Sequence, residues 1–243
     1  MTDPLRVSID QLEVDITPHL DGRRVSVDHH LHDAIAAHLG IDRDRVHDYR
    51  IERRSLDARR KPRLAFLYRL QVAVADGSPV REGPGVSVHT TPGDQDHELY
   101  RLALSPDRPR TVVVVGTGPA GIMAAYLLSL HGCQVLVLDR GRDVDRRGDD
   151  LARFHRTRTL DPTSNYLFGE GGAGTYSDGK LYTRVKDRRM RFLLDAFVAA
   201  RAPRSIRYTH HPHIGSDILP HMARRLRRQI EAWGGRFRWE AAV

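Results

Sequence analysis

The sequence predicts an α/β protein in which a small α+β unit precedes a parallel-sheet domain. Three observations predict the second part. Val112 to Val115 form a continuous apolar run, as expected of a parallel strand covered on both faces. Gly116, Gly118 and Gly121 then give G-x-G-x-x-G where that strand meets a helix. A second run, Val135 to Leu138, ends in the acid Asp139. Strand, glycine turn, helix, strand and acid in register describe a Rossmann-like dinucleotide-binding unit. In such a unit the first glycine makes the turn, the second admits a pyrophosphate and the third lets helix and strand pack closely. The helix N-terminus offers unpaired amides and partial positive charge to a diphosphate. A tight turn alone accounts for one glycine, not for three at this spacing followed by an acid.

Ahead of this unit, residues 1–76 read as a small α+β domain. Val25 and Val27 predict a short strand, and Asp28 is placed to cap a helix with Leu31, Ile35 and Leu39 on one face and Gly40 as its stop. Strands follow near Val46 to Ile51 and from Leu64 to Val74. Between them, Arg53 to Lys61 reads as a solvated basic loop. Residues 77–110 are rich in glycine and proline and poor in apolar runs, which predicts a linker with a short helix near His97 to Leu104. The nucleotide-binding domain then occupies 111–243.

Beyond Asp139 the chain is charged from Gly141 to Arg158 and then glycine-dense. Gly169, Gly171, Gly172, Gly174 and Gly179 exclude a helix interior or an ordinary strand. Such a loop exposes main-chain amides to a flat or anionic ligand. Phe168, Tyr176, Leu181 and Tyr182 among the glycines predict a packed, functional loop over a flexible one. Helices are expected over Asp187 to Ala200 and Ser216 to Trp233, where Pro220 must lie in the first turn. Arg236 to Val243 begins another strand.

Composition bounds the function. The formal charge is +8, but only Lys61, Lys180 and Lys186 are lysines, and the arginines are scattered along the whole chain. Aromatic residues are not interleaved with them, so a nucleic-acid platform is not expected. No apolar run is long enough for a membrane span and the N-terminus lacks a signal-peptide layout, which makes the cytoplasm the expected location. Cys133 is the only cysteine, so disulfide exchange within the chain is excluded and a buried apolar role is expected. The clusters His29-His30-x-His32 and His210-His211-x-His213 have adjacent rings that do not converge on one ion, and no metal site is expected.

On these residues the chain resembles the uncharacterised FAD-dependent dehydrogenases, also labelled NAD(FAD)-utilising dehydrogenases, among the two-dinucleotide-binding-fold flavoproteins. The matching pieces are Ser55 to Arg59, Val112 to Gly121, Asp139-Arg140-Gly141, Phe168 to Leu181 and Pro212 to Asp217. FGEGGAGTYSDGKL at Phe168 to Leu181 is the most specific. Two positions depart from that pattern: Ser216 stands where threonine is expected, and Asp139 where such flavoproteins often carry glutamate.

The resemblance implies that Gly116, Gly118, Pro119, Ala120, Gly121, Asp139 and Arg140 hold the adenosine diphosphate part of FAD, with Asp139 accepting from the ribose. It implies that Gly169, Gly171, Gly172, Ala173, Gly174 and Lys180 lie along the rest of the flavin, with Lys180 near the isoalloxazine. Pro212 to Asp217 either approaches the same site or only caps the following helix. An FAD-dependent oxidoreductase with NAD(P)H as hydride donor follows, its substrate and acid–base residues unassigned. Relatives of this plan continue past the position of Val243, so the sheet is expected to be incomplete and the remainder supplied in trans or lost. A non-catalytic nucleotide-binding remnant and an NAD-only dehydrogenase domain are the competing readings.

Overall fold

The computed structural model describes residues 4–19, 30–89, 100–102, 111–181, 187–209 and 211–243. The chain forms two compact units, Met1–Gln95 with Arg207–His210, and Asp96–Ile206 with His211–Val243.

In the first unit, β1 (Leu5–Asp15), α1 (Leu31–Leu39), β2 (Val46–Asp57), β3 (Ala65–Val74) and β4 (Val86–His89) build an antiparallel sheet in the order β2-β3-β1-β4. The sequence reading missed β1 because its alternation changes phase. Leu5, Val7 and Ile9 alternate, and a register shift between Ile9 and Leu12 makes Leu12 the next buried residue. Leu31, Ile35 and Leu39 face the core as their spacing predicts, against Val7, Ile9, Leu70 and Val72. Gly40 closes α1 in the left-handed conformation, its N–H on Ala36 and Ala37 carbonyls. The helix takes its N-cap position at His30; Asp28, Val25 and Val27 lie outside the described residues.

Two boundaries here differ from expectation. β2 continues to Asp57, pairing Ser55 with Leu67 and Asp57 with Ala65, so much of the expected basic loop is strand. β4 lies inside the stretch read as a linker, with Val86 opposite Ile9 and Val88 opposite Val7. A four-residue edge strand with two valines among glycines and prolines gives little periodic signal. Of the helix expected over His97 to Leu104, only residues 100–102 are described, and the rest lies outside the described residues.

In the second unit, β5 (Thr111–Val115), α2 (Pro119–Leu130), β6 (Gln134–Leu138), α3 (Val144–Thr157), α4 (Met190–Ala199), α5 (Leu219–Ala232) and β7 (Arg236–Arg238) follow in order. The sheet is parallel, ordered β5-β6-β7, with Thr111 opposite Gln134 and Leu136 opposite Arg236. This is a Rossmann-like α/β arrangement preceded by a small α+β unit. The core joins Ile122 and Ala125 of α2, Val135 and Val137 of β6, and Leu226 and Ile230 of α5, with Cys133 buried beside them.

The four valines of β5 predicted cover on both faces, but Val113 and Val115 are 54% and 62% exposed. Only one face of β5 is covered among the described residues. α5 begins at Leu219 with Pro220 in its first turn, later than expected, and β7 is three residues long. Helix α3 was not expected at all. Its buried positions are Val144, Arg147, Asp150 and Leu151, so half of its inner face is charged and hides the apolar stripe. Asp143 caps it by accepting from the N–H groups of Asp145 and Arg146.

Candidate functional site

The β5–α2 turn sets the geometry. Gly116 has φ +93°, and α2 starts with Pro119 in its first position after Gly118. Gly121 is required by close approach: a Cβ there runs into the Gly116 carbonyl, so helix and turn touch main chain to main chain. At Gly118 a Cβ meets nothing within 4 Å, and the turn therefore faces open space.

That space is a cavity of ≈ 480 Å³, bordered by Gly116, Gly118, Asp139, Arg140, Gly169 and Gly172. Pro119, Ala173 and the apolar Val115, Leu138 and Leu167 complete its walls together with Ala241 to Val243. The turn and the glycine-dense segment face each other closely. A Cβ on Gly172 stands 3.1 Å from the Gly118 Cα, and one on Gly141 stands 2.5 Å from the Gly169 nitrogen. Arg140 is exposed, its guanidinium carbon 4.5 Å from the Phe168 ring centroid.

Asp139 is 7% exposed, and each of its oxygens takes two donors from the chain. Oδ2 accepts from the Thr117 N–H at 2.8 Å and from the Thr117 hydroxyl. Oδ1 accepts from the N–H groups of Gly141 at 2.8 Å and Gly169 at 3.1 Å. A carboxylate offers about four lone-pair sites. Asp139 therefore clasps the first turn, the end of β6 and the glycine segment, and it reaches a ribose only if one of these donors gives way. Thr117, fully buried, is the partner that sequence reasoning missed; a hydroxyl between two motif glycines is the signal that was there to find.

The glycine segment is anchored from beneath. Glu170 is fully buried; its carboxylate accepts from the Val144 N–H at 2.7 Å, at the N-terminus of α3, and from Arg227 Nε of α5 at 2.9 Å. Burial pushes the Glu170 carboxyl above its ordinary range, more than these two donors lower it. Arg147, also fully buried, reaches the same segment from α3. Asp150 fixes the segment's start, accepting from the Ser164 hydroxyl at 2.5 Å and from Arg142 at 3.1 Å. Gly171 donates to the Thr117 carbonyl at 3.0 Å. None of Arg147, Asp150 and Glu170 was singled out from the sequence, where they sit in an arginine-rich run and among glycines.

Other expected residues lie elsewhere. Ala120, Gly121, Gly171 and Gly174 do not line the cavity. Lys180 does not line it either; its ammonium is exposed and paired with Asp178 at 2.7 Å. Ser216 and Asp217 do not cap α5, whose N-cap position is Ile218. The Pro212 to Asp217 segment instead braces the end of the glycine loop: Leu181 donates to the Pro212 carbonyl at 2.9 Å and Ile214 to the Gly179 carbonyl at 3.0 Å. Asp57 in the SLDAR segment forms a local bidentate pair with Arg59, at 2.9 and 2.6 Å. No helix among the described residues is long and apolar enough to cross a membrane.

Comparison with known proteins agrees with this division. Residues 110–167, which hold β5, α2, β6, α3 and the approach to the glycine segment, match the family model of an FAD binding domain. Residues 8–73 match the model of a domain of unknown function (DUF8436). An uncharacterized protein of Clostridium beijerinckii is 46% identical over 123 residues, which are 51% of this chain and 23% of that protein. The chain thus spans about a quarter of the length of this curated relative, and it carries a segment similar to FAD binding domains within its parallel α/β unit.

Proposed function

We propose that the second unit binds FAD at the β5–α2 turn and that the protein is an FAD-dependent oxidoreductase or part of one. The observation that carries this is the close approach of two main chains at the cavity border, a Cβ on Gly172 standing 3.1 Å from the Gly118 Cα, while Gly118 itself is open to the space. Gly116, Gly118, Gly169, Gly172 and Ala173 put main chain on part of its border, which suits the diphosphate of a dinucleotide. The cavity's ≈ 480 Å³ falls within the roughly 300–1,000 Å³ common for small-molecule sites. The match of residues 110–167 to an FAD binding domain supports the choice of dinucleotide.

In this proposal Gly116, Gly118, Pro119, Ala120 and Gly121 present the start of α2 to the diphosphate. Gly169, Gly172 and Ala173 form the opposing wall, Gly171 and Gly174 support it from within the segment, and Arg140 supplies a cation at the rim. Asp139 orders the turn through Thr117 and accepts from the ribose at the cavity edge once one of its four donors gives way. Lys180 takes no part while it is paired with Asp178. When bound, FAD supplies an acceptor for hydride from a nicotinamide or an organic substrate.

A second reading is favoured by one observation. Val113 and Val115 leave one face of β5 exposed, which fits a nucleotide-binding portion that acts together with further polypeptide. The visible spectrum of the purified chain separates these. Bound yellow chromophore bleached by NADH or NADPH supports the oxidoreductase, whereas bound flavin inert to both supports the second reading. A colourless, well-folded chain that binds NADH overturns the cofactor assignment.

A further inference from the structure

A segment this rich in glycine has few side chains with which to hold its own shape. Of the side chains that anchor it from below, Arg147 of α3 reaches the most of its carbonyls. Arg147 Nη1 donates to the carbonyls of Glu170 and of Gly172, the latter at 3.1 Å. Nη2 donates to the Asn165 carbonyl at 3.0 Å and approaches that of Tyr166 at 3.4 Å. The guanidinium carbon lies 5.1 Å from the Tyr176 ring centroid, so its contacts run from Asn165 to Tyr176. The acceptors are carbonyls and, at 3.5 Å, the Thr175 hydroxyl, and Nε has no acceptor among the described residues. A buried cation whose contacts are neutral is costly for a fold to keep. A lysine ammonium lacks the planar fork that reaches several acceptors at once.

Peptide planarity gives these bonds a consequence on the far side. Where a carbonyl is drawn down onto Arg147, the N–H of the same peptide points away from it. Both residues of the Gly172–Ala173 peptide, whose carbonyl Arg147 holds, border the cavity.

We propose that Arg147 is the positioning residue for the ligand-facing side of the glycine segment. It gathers the carbonyls beneath the loop and leaves the Ala173 N–H, opposed to the Gly172 carbonyl that it holds, turned away from it at the cavity border. This rests on the dinucleotide reading above.

The test titrates FAD into ligand-free wild type, Arg147→Lys and Arg147→Ala, each checked for a cooperative melt. Arg147→Ala is expected to weaken FAD binding about 100-fold, and Arg147→Lys to recover no more than about tenfold of that. Millimolar guanidinium is expected to restore binding to Arg147→Ala where sodium chloride of equal ionic strength does not. Wild-type affinity in a folded Arg147→Ala variant overturns the proposal, as does equal recovery in sodium chloride. If Arg147→Ala does not fold, hydrogen exchange of the ligand-free wild type decides. Amides from Asn165 to Tyr176 protected like those of α3 support a loop held by Arg147, and exchange at unprotected rates overturns it. A wild type that binds no FAD sinks the flavin reading instead, and the exchange result still decides what Arg147 does.

Discussion

Arg147 donates to the backbone carbonyl of Glu170, while the Glu170 carboxylate takes its bonds from the Val144 N–H and from Arg227. Two fully buried, oppositely charged residues thus meet through main chain, and each is left to organise a different partner. Arg147 shapes the glycine segment. Glu170 ties that segment to the N-terminus of α3 and to α5. The arrangement places a carboxylate at the positive end of a helix dipole and a guanidinium among carbonyl dipoles, so both charges are solvated by protein in place of water.

Glu170 makes stability depend on pH. Burial raises its carboxyl in the folded state above the ordinary value of 4.5 that it keeps when unfolded. Between those two values the folded chain holds the proton and the unfolded chain has lost it, so stability falls as pH rises. The contribution is complete below the unfolded value and is gone above the folded one. Glu170→Gln is expected to remove this slope, so that the difference in melting temperature between wild type and variant shrinks or reverses as pH climbs from 4 upward. Parallel melting curves across that range would assign the shift to another group.

Asp139 and Thr117 are expected to act as one unit in the absence of any ligand. Asp139→Asn exchanges an acceptor oxygen for an NH₂ that in either orientation faces at least one N–H donor, which is expected to cost about 1–3 kcal/mol of unfolding free energy. Thr117→Val keeps the shape and the backbone bond but removes the hydroxyl, for about 1 kcal/mol or slightly more. Because both changes break the same contact, the double variant is expected to fall short of the sum by at least ~0.5 kcal/mol. Denaturant titration of the three variants measures it. Full ligand-free stability in Asp139→Asn, with FAD binding lost, would make Asp139 a ribose acceptor and no clasp.

What could be read from the sequence was what is local. Gly116 to Asp139 folds as its spacing predicts because strand, turn, helix and strand are consecutive and each element has its own periodic signal. Leu31, Ile35 and Leu39 are buried for the same reason. β1 escaped because its bulge breaks the period of two, β4 because a short edge strand draws its order from pairing with residues far away in the chain. The clasp at Asp139 joins residues 117, 139, 141 and 169, and no window of sequence contains all of them. Helix α3 hid its inner face behind Arg147 and Asp150, charged residues whose burial makes sense only once the glycine segment lies over them.

The two motif glycines of α2 are expected to fail in different ways, which separates ligand binding from folding. Gly118 has φ −64° and ψ 176°, a conformation open to any residue, and a Cβ there meets nothing of the chain within 4 Å. Gly118→Val is therefore expected to melt within a few degrees of wild type yet lose FAD, because its side chain fills the space assigned to the diphosphate. Gly121 faces the opposite constraint, since its Cβ would strike the Gly116 carbonyl, which is main chain and cannot swing aside. Gly121→Ala is expected to lose about 1–3 kcal/mol of stability even without ligand, by prying the helix from the turn. Melting and flavin content of the two purified variants give the comparison. Should Gly118→Val retain its flavin, the diphosphate lies elsewhere, whatever Gly121→Ala does to the fold.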